Sequence, residues 1–116
     1  MNFRELESYI MSKANVTYDY PFDEKVRVYR ISEKIFALTE DLSPLWINLK
    51  CDPIYALELR SLYEGIEAGY HMSKKHWNTV IAEDSDVDDE MLKELIDHSF
   101  DLIFGKLTKK QREFLD

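Results

Sequence analysis

Val26-Arg27-Val28-Tyr29-Arg30-Ile31, Ser32-Glu33 and Lys34-Ile35-Phe36-Ala37-Leu38-Thr39 follow one another without a break. β-Branched and aromatic residues dominate both flanks, and the polar pair between them can turn. The stretch therefore predicts a β-hairpin. Residues 41–44 form a second turn, and Leu45-Trp46-Ile47-Asn48-Leu49-Lys50 then alternates. Leu45, Ile47 and Leu49 point one way and Trp46, Asn48 and Lys50 the other, as in the third, half-buried strand of an antiparallel meander. Trp46 is expected to lie under a helix, because large aromatic side chains are seldom left in solvent.

Helical signals surround this meander. Upstream, Phe3, Leu6, Ile10 and Ala14 share one helical face over residues 2–14, with Asn2 as N-cap and Asn15 as stop. Tyr18-Asp19-Tyr20-Pro21-Phe22 reads as an aromatic connection, since Pro21 forbids a regular helix and biases Tyr20 to an extended form. Downstream, Asp52-Pro53 opens a helix, with Asp52 as N-cap and Pro53 where a missing donor costs nothing. Ile54, Leu57, Leu59 and Leu62 give that helix its apolar weight, and Gly65 is its expected C-cap. Residues 66–72 and 76–82 read as strands of a second hairpin around Ser73-Lys74-Lys75. The last main helix starts near Asp88, with Val87 stapled to Leu92 and Asp89 and Glu90 in its first turn. Its apolar stripe is Met91, Leu92, Leu95, Ile96, Ser99, Leu102 and Ile103. Thr108-Lys109-Lys110-Gln111 has the capping-box pattern of a short terminal helix. The predicted order is α-β-β-β-α-β-β-α plus that terminal turn. This is an α+β fold, an antiparallel sheet with packed helices, with residues 1–116 as a single domain.

Composition sets the outer limits. A chain of 116 residues with 45% hydrophobic residues can bury roughly two-thirds of its unfolded surface without a metal or disulfide staple. The single cysteine excludes an intrachain disulfide and fits a reducing compartment. No apolar run approaches the ~20 residues of a membrane span, and the first residues lack a signal-peptide apolar segment. The expectation is a cytoplasmic domain with no membrane partner.

Charge is unevenly spread. The net charge is -8, and residues 83–97 hold eight acids against one base, Lys93. The rest of the chain is nearly neutral and carries basic spots: Lys74-Lys75 between His71 and His76, then Lys106, Lys109, Lys110 and Arg112. An acidic protein repels a polyanion at long range, yet a local basic surface can still hold phosphate in a salt-dependent way.

Gly69-Tyr70-His71-Met72-Ser73-Lys74-Lys75-His76-Trp77-Asn78 is the richest chemical stretch. As a metal site, His71 and His76 are five apart, not the helical spacing of a zinc motif, and would need Cys51 or His98 as a third ligand. As a nucleophilic site, Cys51 stands just before a capped helix, where a positive dipole would lower its pKa. As a nucleic-acid site, Lys74 and Lys75 would meet phosphates while His71, Trp77 or Asn78 contact or stack on bases. As plain architecture, Tyr70 and Trp77 would be core aromatics and the lysines a solvated turn. The residue types alone leave these four readings open.

Trp46-Ile47-Asn48-Leu49-Lys50-Cys51-Asp52-Pro53 and Gly69-Tyr70-His71-Met72-Ser73-Lys74-Lys75-His76-Trp77-Asn78-Thr79-Val80 closely resemble the bacterial MmcQ/YjbR family, as do shorter matches elsewhere in residues 18–112. The resemblance implies an α+β fold of the order given above, similar to that of secretion chaperones. It also implies a DNA-binding label, a winged element towards the C-terminal half and no catalytic residues, hence no enzyme. Three positions depart from the family pattern: Glu33 where glycine is common, Phe100 for tyrosine and Thr108 for proline. The candidate binding set is Lys50, His71, Lys74, Lys75, His76, Trp77, Asn78, Lys109, Lys110 and Arg112, with no metal and no cofactor. The expected partner is DNA. The alternative is a protein-interaction or adaptor module of chaperone-like fold, with an exposed apolar patch near Trp46. The expected state is a monomer or weak homodimer.

Overall fold

The structure is a computed structural model that describes residues 1–69 and 72–115. The readings placed on Tyr70 and His71 lie outside the described residues. Elements run α1 (Phe3–Met11), β1 (Val16–Asp19), β2 (Val26–Ile31), β3 (Lys34–Glu40), β4 (Trp46–Lys50), α2 (Pro53–Leu62), β5 (Ile66–Ala68), β6 (Trp77–Ile81), α3 (Asp89–Phe104) and α4 (Lys109–Leu115). The six strands form one antiparallel sheet in the order β1-β2-β3-β4-β6-β5. The α+β class and the packed-helix architecture follow the expectation, with one strand more. No helix among the described residues is long and apolar enough to cross a membrane.

The helix starts form where local chemistry placed them. Asn2 closes a capping box with Glu5 at the head of α1. Asp52 accepts from the Ile54 and Tyr55 amides at the head of α2, and Asp88 accepts from Met91 N at the head of α3. Thr108 and Gln111 exchange side chain–backbone bonds at α4. Ends differ more. α1 stops at Met11, so Ala14 is exposed rather than on the buried face, and Asn15 takes φ 66°. α2 stops at Leu62, and Gly65 has no positive φ. Gly65 is instead tied by its amide to Asp86, whose carboxylate stands 3.0 Å from where a Cβ would be. The Ser32-Glu33 turn finds its left-handed residue in Ser32, φ 56°, which relieves Glu33 of that conformation.

The start of the aromatic connection, Tyr18 and Asp19, corrects to the edge strand β1, while residues 20–22 connect without regular structure, as expected. Tyr18 pairs with Tyr29, and the Arg27 guanidinium lies 4.0 Å from the Tyr18 ring, with Phe3 and Tyr20 also around it and Glu7 paired to it. A cation over several ring faces is attracted by each of them. That cluster draws α1, β1 and β2 together.

α1, α2 and α3 bury Leu6, Ile10, Ala56, Leu59, Leu92, Leu95, Ile96 and Ile103 against one face of the sheet, with Tyr29, Phe36, Leu45, Ile47 and Leu49. The opposite face carries a smaller cluster of Val28, Leu38 and Trp77, edged by Val26, Ile35 and Met72. Trp46 belongs by register to this second face, so the expected helical cover over it is corrected. The helices lie on the other side, and Trp46 is half-buried among sheet residues.

Between Tyr29↔Ala37 and Arg30↔Ile35 the register slips, leaving Phe36 as the extra residue of a β-bulge. The β3–β4 ladder stops at Ala37↔Leu49. Ser99 of α3 fills the next rung: its Oγ donates to Phe36 O at 2.6 Å and accepts from Lys50 N at 3.0 Å.

Candidate nucleic-acid interface

Antiparallel connectivity puts the end of β2, the start of β3, the end of β4 and the start of β6 at one end of the sheet. Lys34 opens β3, Lys50 closes β4, the Ser73-Lys74-Lys75 turn precedes β6, and Lys106 follows α3. The Lys50 amine is half-buried, with Lys106 beside it and Lys34 within its field. Burial first, then these two cations, hold its pKa down to about 8. Every group acting on it is a cation. Lys74 and Lys75 are exposed and, among the described residues, form no ion pair.

The acidic run of residues 83–90 lies at the far end, while Glu33, Asp52 and Asp101 stand near the lysines. α3 has sixteen residues, so its first turn is roughly 24 Å from Lys106. Several acids there have structural partners: Glu83 accepts from Leu45 N, Asp86 from the Glu64 and Gly65 amides, and Asp88 caps α3. Further along α3, Asp97 holds Tyr9 and Lys13.

The expected binding residues divide. Lys50, Lys74 and Lys75 lie at the cationic end, and Lys109 and Lys110 are exposed on α4, which follows Lys106 in the chain. Arg112 is exposed, but its guanidinium donates to Phe104 O and Gly105 O, capping α3. His76 is half-buried, and its carbonyl accepts from Cys51 N. Trp77 is 7% exposed and Asn78 2% exposed. They sit in an interior strand covered on both faces, so in this conformation they support the surface rather than form it.

Sequence reasoning missed Arg60. From α2 it donates to Asn78 Oδ1 at 2.6 Å, to Trp77 O at 3.1 Å and to Lys74 O, locking the basic turn to the sheet. Its only forewarning was a cation in the last turn of a helix that ends beside this segment. Asn78 Nδ2 is buried with no partner among the described residues.

The remaining chemical readings meet the geometry as follows. Burial, with Asp52 adding and Arg60 opposing, pushes the Cys51 thiol up to about 11, the reverse of the expected helix-dipole effect. His98 Nε2 accepts from Asp52 N, which occupies that nitrogen. Among the described residues no three His, Cys, Asp or Glu side chains converge on a metal-sized site.

The sequence model described as YjbR matches residues 11–102. The chain is 36% identical over 95 residues to "Uncharacterized protein YbdF" of Escherichia coli O157:H7, covering 81% of this chain and 77% of that protein. It is 26% identical over 117 aligned positions to "Uncharacterized protein YjbR" of Escherichia coli strain K12, covering 99% and 98% of the two. Among solved structures it is similar to Deinococcus radiodurans protein DR2400, a DUF419 domain, with TM-score 0.90, 34% identity, and 98% of this chain and 87% of that one covered.

Proposed function

Given that this chain belongs to the YjbR family, we propose that it is a non-catalytic, cytoplasmic DNA-binding protein that meets the phosphate backbone with the cationic end of its sheet. The observation that carries the reading is the convergence of Lys34, Lys50 and Lys106 with no carboxylate among the groups acting on Lys50. Like charges gathered this way disfavour one another's protonation, and an anion seated among them reverses that cost. Lys74 and Lys75, on the neighbouring turn, extend the track, and Lys109 and Lys110 lie beyond Lys106. Trp77 and Asn78 serve as the scaffold that Arg60 clamps.

The net charge of -8 does not defeat the reading. Screening sets in beyond about 8–10 Å at physiological salt, and the acids of the α3 first turn are more than twice as far from Lys106. Fluorescence anisotropy with short single- and double-stranded DNA tests the proposal. Binding is expected at about 50 mM salt and is weakened by Lys50→Gln/Lys106→Gln. No binding to either DNA at that salt rejects it.

A second reading, the protein-interaction module, is favoured by α2. Ile54 is 78% exposed, and Leu57 and Leu62 are also exposed, so three of the residues that give this helix its apolar weight face outward. Sedimentation tests self-association through this face: Ile54→Glu/Leu57→Glu abolishes a dimer if the surface joins two copies, and a monomer at all concentrations removes that partner.

A further inference from the structure

We propose that the groove on the helix-free face of the sheet binds a small organic cation with an apolar body. The groove encloses about 580 Å³, within the range of small-molecule sites. Val26, Leu38, Met72, the half-buried Trp46 and Phe22, 67% exposed, give it an apolar lining, with Asn48 among them. An aromatic ring left that open at the mouth of an apolar groove is a binding surface more than a fold support.

Charge selects the ligand. The titratable side chains among the described lining residues are Asp23 and Glu40. Asp23 accepts from the Val26 and Lys25 amides at 2.8 Å each, and those bonds, Val26 first, lower its pKa and keep it ionised. The cation of its neighbour Lys25 acts in the same direction but does not line the groove. Two carboxylates sharing the groove with an indole ring favour an ammonium head over a neutral group and repel an anion. The site therefore cannot be the phosphate contact proposed above, and the two proposals stand or fall separately.

Amide-resolved NMR titration with phenethylammonium, phenethyl alcohol and phenylacetate tests the site. Phenethylammonium is expected to shift the Trp46 indole N–H and the Val26 and Leu38 amides saturably, and to bind roughly three- to tenfold more tightly than the alcohol. Glu40→Gln brings that ratio towards one, and Asp23→Asn does so independently if the Glu40 variant is poorly folded. Equal binding of all three compounds, a preference for phenylacetate, or shifts confined to other residues overturns the proposal. So does movement of the same resonances with protein concentration alone, which assigns the groove to a second copy.

Discussion

Replacing Ser99 with alanine is expected to cost far more than removing one hydroxyl from a helix surface would. Ser99 is fully buried, and its Oγ stands where the β3–β4 ladder has run out. The bulge at Phe36 leaves that carbonyl without a strand partner, and Ser99 bridges it to Lys50 N. Alanine strips both groups of their partner at once. An orphaned buried donor or acceptor costs roughly 1–3 kcal/mol, so two cost about 2–6 kcal/mol. Partial closure of the rung recovers about 1 kcal/mol by a direct bond, which leaves a loss of about 1–5 kcal/mol. At a mid-range slope of about 2 kcal/mol per molar urea, the midpoint falls by roughly 0.5–2.5 M. Ser12→Ala, which removes an exposed Oγ bond to Tyr9 O, is the control and should change stability by less than about 0.5 kcal/mol. Urea denaturation followed by circular dichroism measures both, and hydrogen exchange reports whether the Lys50 amide loses protection. A Ser99→Ala protein within about 0.5 kcal/mol of the parent, or one that keeps full protection at Lys50, refutes the bridging role.

Other expectations follow from the same geometry. Cys51, buried with its thiol raised to about 11, should react with a thiol reagent only on the timescale of unfolding, and fast labelling of the folded protein contradicts this. Lys50, held to about 8, loses its charge as pH rises through that value. DNA affinity should therefore decline between about pH 7 and 9, and Lys50→Arg should remove the decline. Tyr9 donates to Asp97 at 2.6 Å and is raised to about 12, chiefly by burial and then by that carboxylate. Tyr9→Phe should cost roughly 0.5–1.5 kcal/mol in denaturant melts. Burial works to raise the Asp97 pKa, but the bonds from Lys13 and Tyr9 outweigh it and hold the folded pKa below 3.8. Its unfolded form then binds more protons, so its contribution is present above about pH 4 and lost as pH falls through the folded value. Asp97→Asn should flatten that part of the acid-unfolding curve.

What could be read from the chain was whatever local chemistry determines. Asn2, Asp52, Asp88 and Thr108 announce helix starts because each cap bond is made within three residues. The β2–β3 hairpin and β4 show in β-branched runs and alternation. β1 did not show, because its strand character comes from pairing with β2 and from Arg27 among aromatic rings brought in from α1 and both strands. The Phe36 bulge is likewise a matter of pairing, and a period-two pattern cannot say whether the helices will cover the side of the sheet that holds Trp46. At the candidate site, the exposed Lys74-Lys75 turn and a core Trp77 were legible as the architectural reading, but the burial of Asn78 beside it was not. Alternation implies one side chain in and one out, but β6 is an interior strand with clusters on both faces. The meeting of Lys34, Lys50 and Lys106 joins three distant parts of the chain, and no spacing rule reports it.

The salt dependence of DNA affinity is the most direct test of the proposed phosphate binding. With the logarithm of the association constant plotted against that of salt concentration, the parent protein should give a negative slope. Lys74→Gln/Lys75→Gln should give a slope shallower by about 1.8, or about 0.9 for each phosphate no longer neutralised. Lys25→Gln, in the turn at the opposite end of the sheet, should leave the slope unchanged. Equal slopes for the parent and the Lys74/Lys75 variant, or an equally shallow slope in the Lys25 variant, would contradict the assignment of DNA to the cationic end.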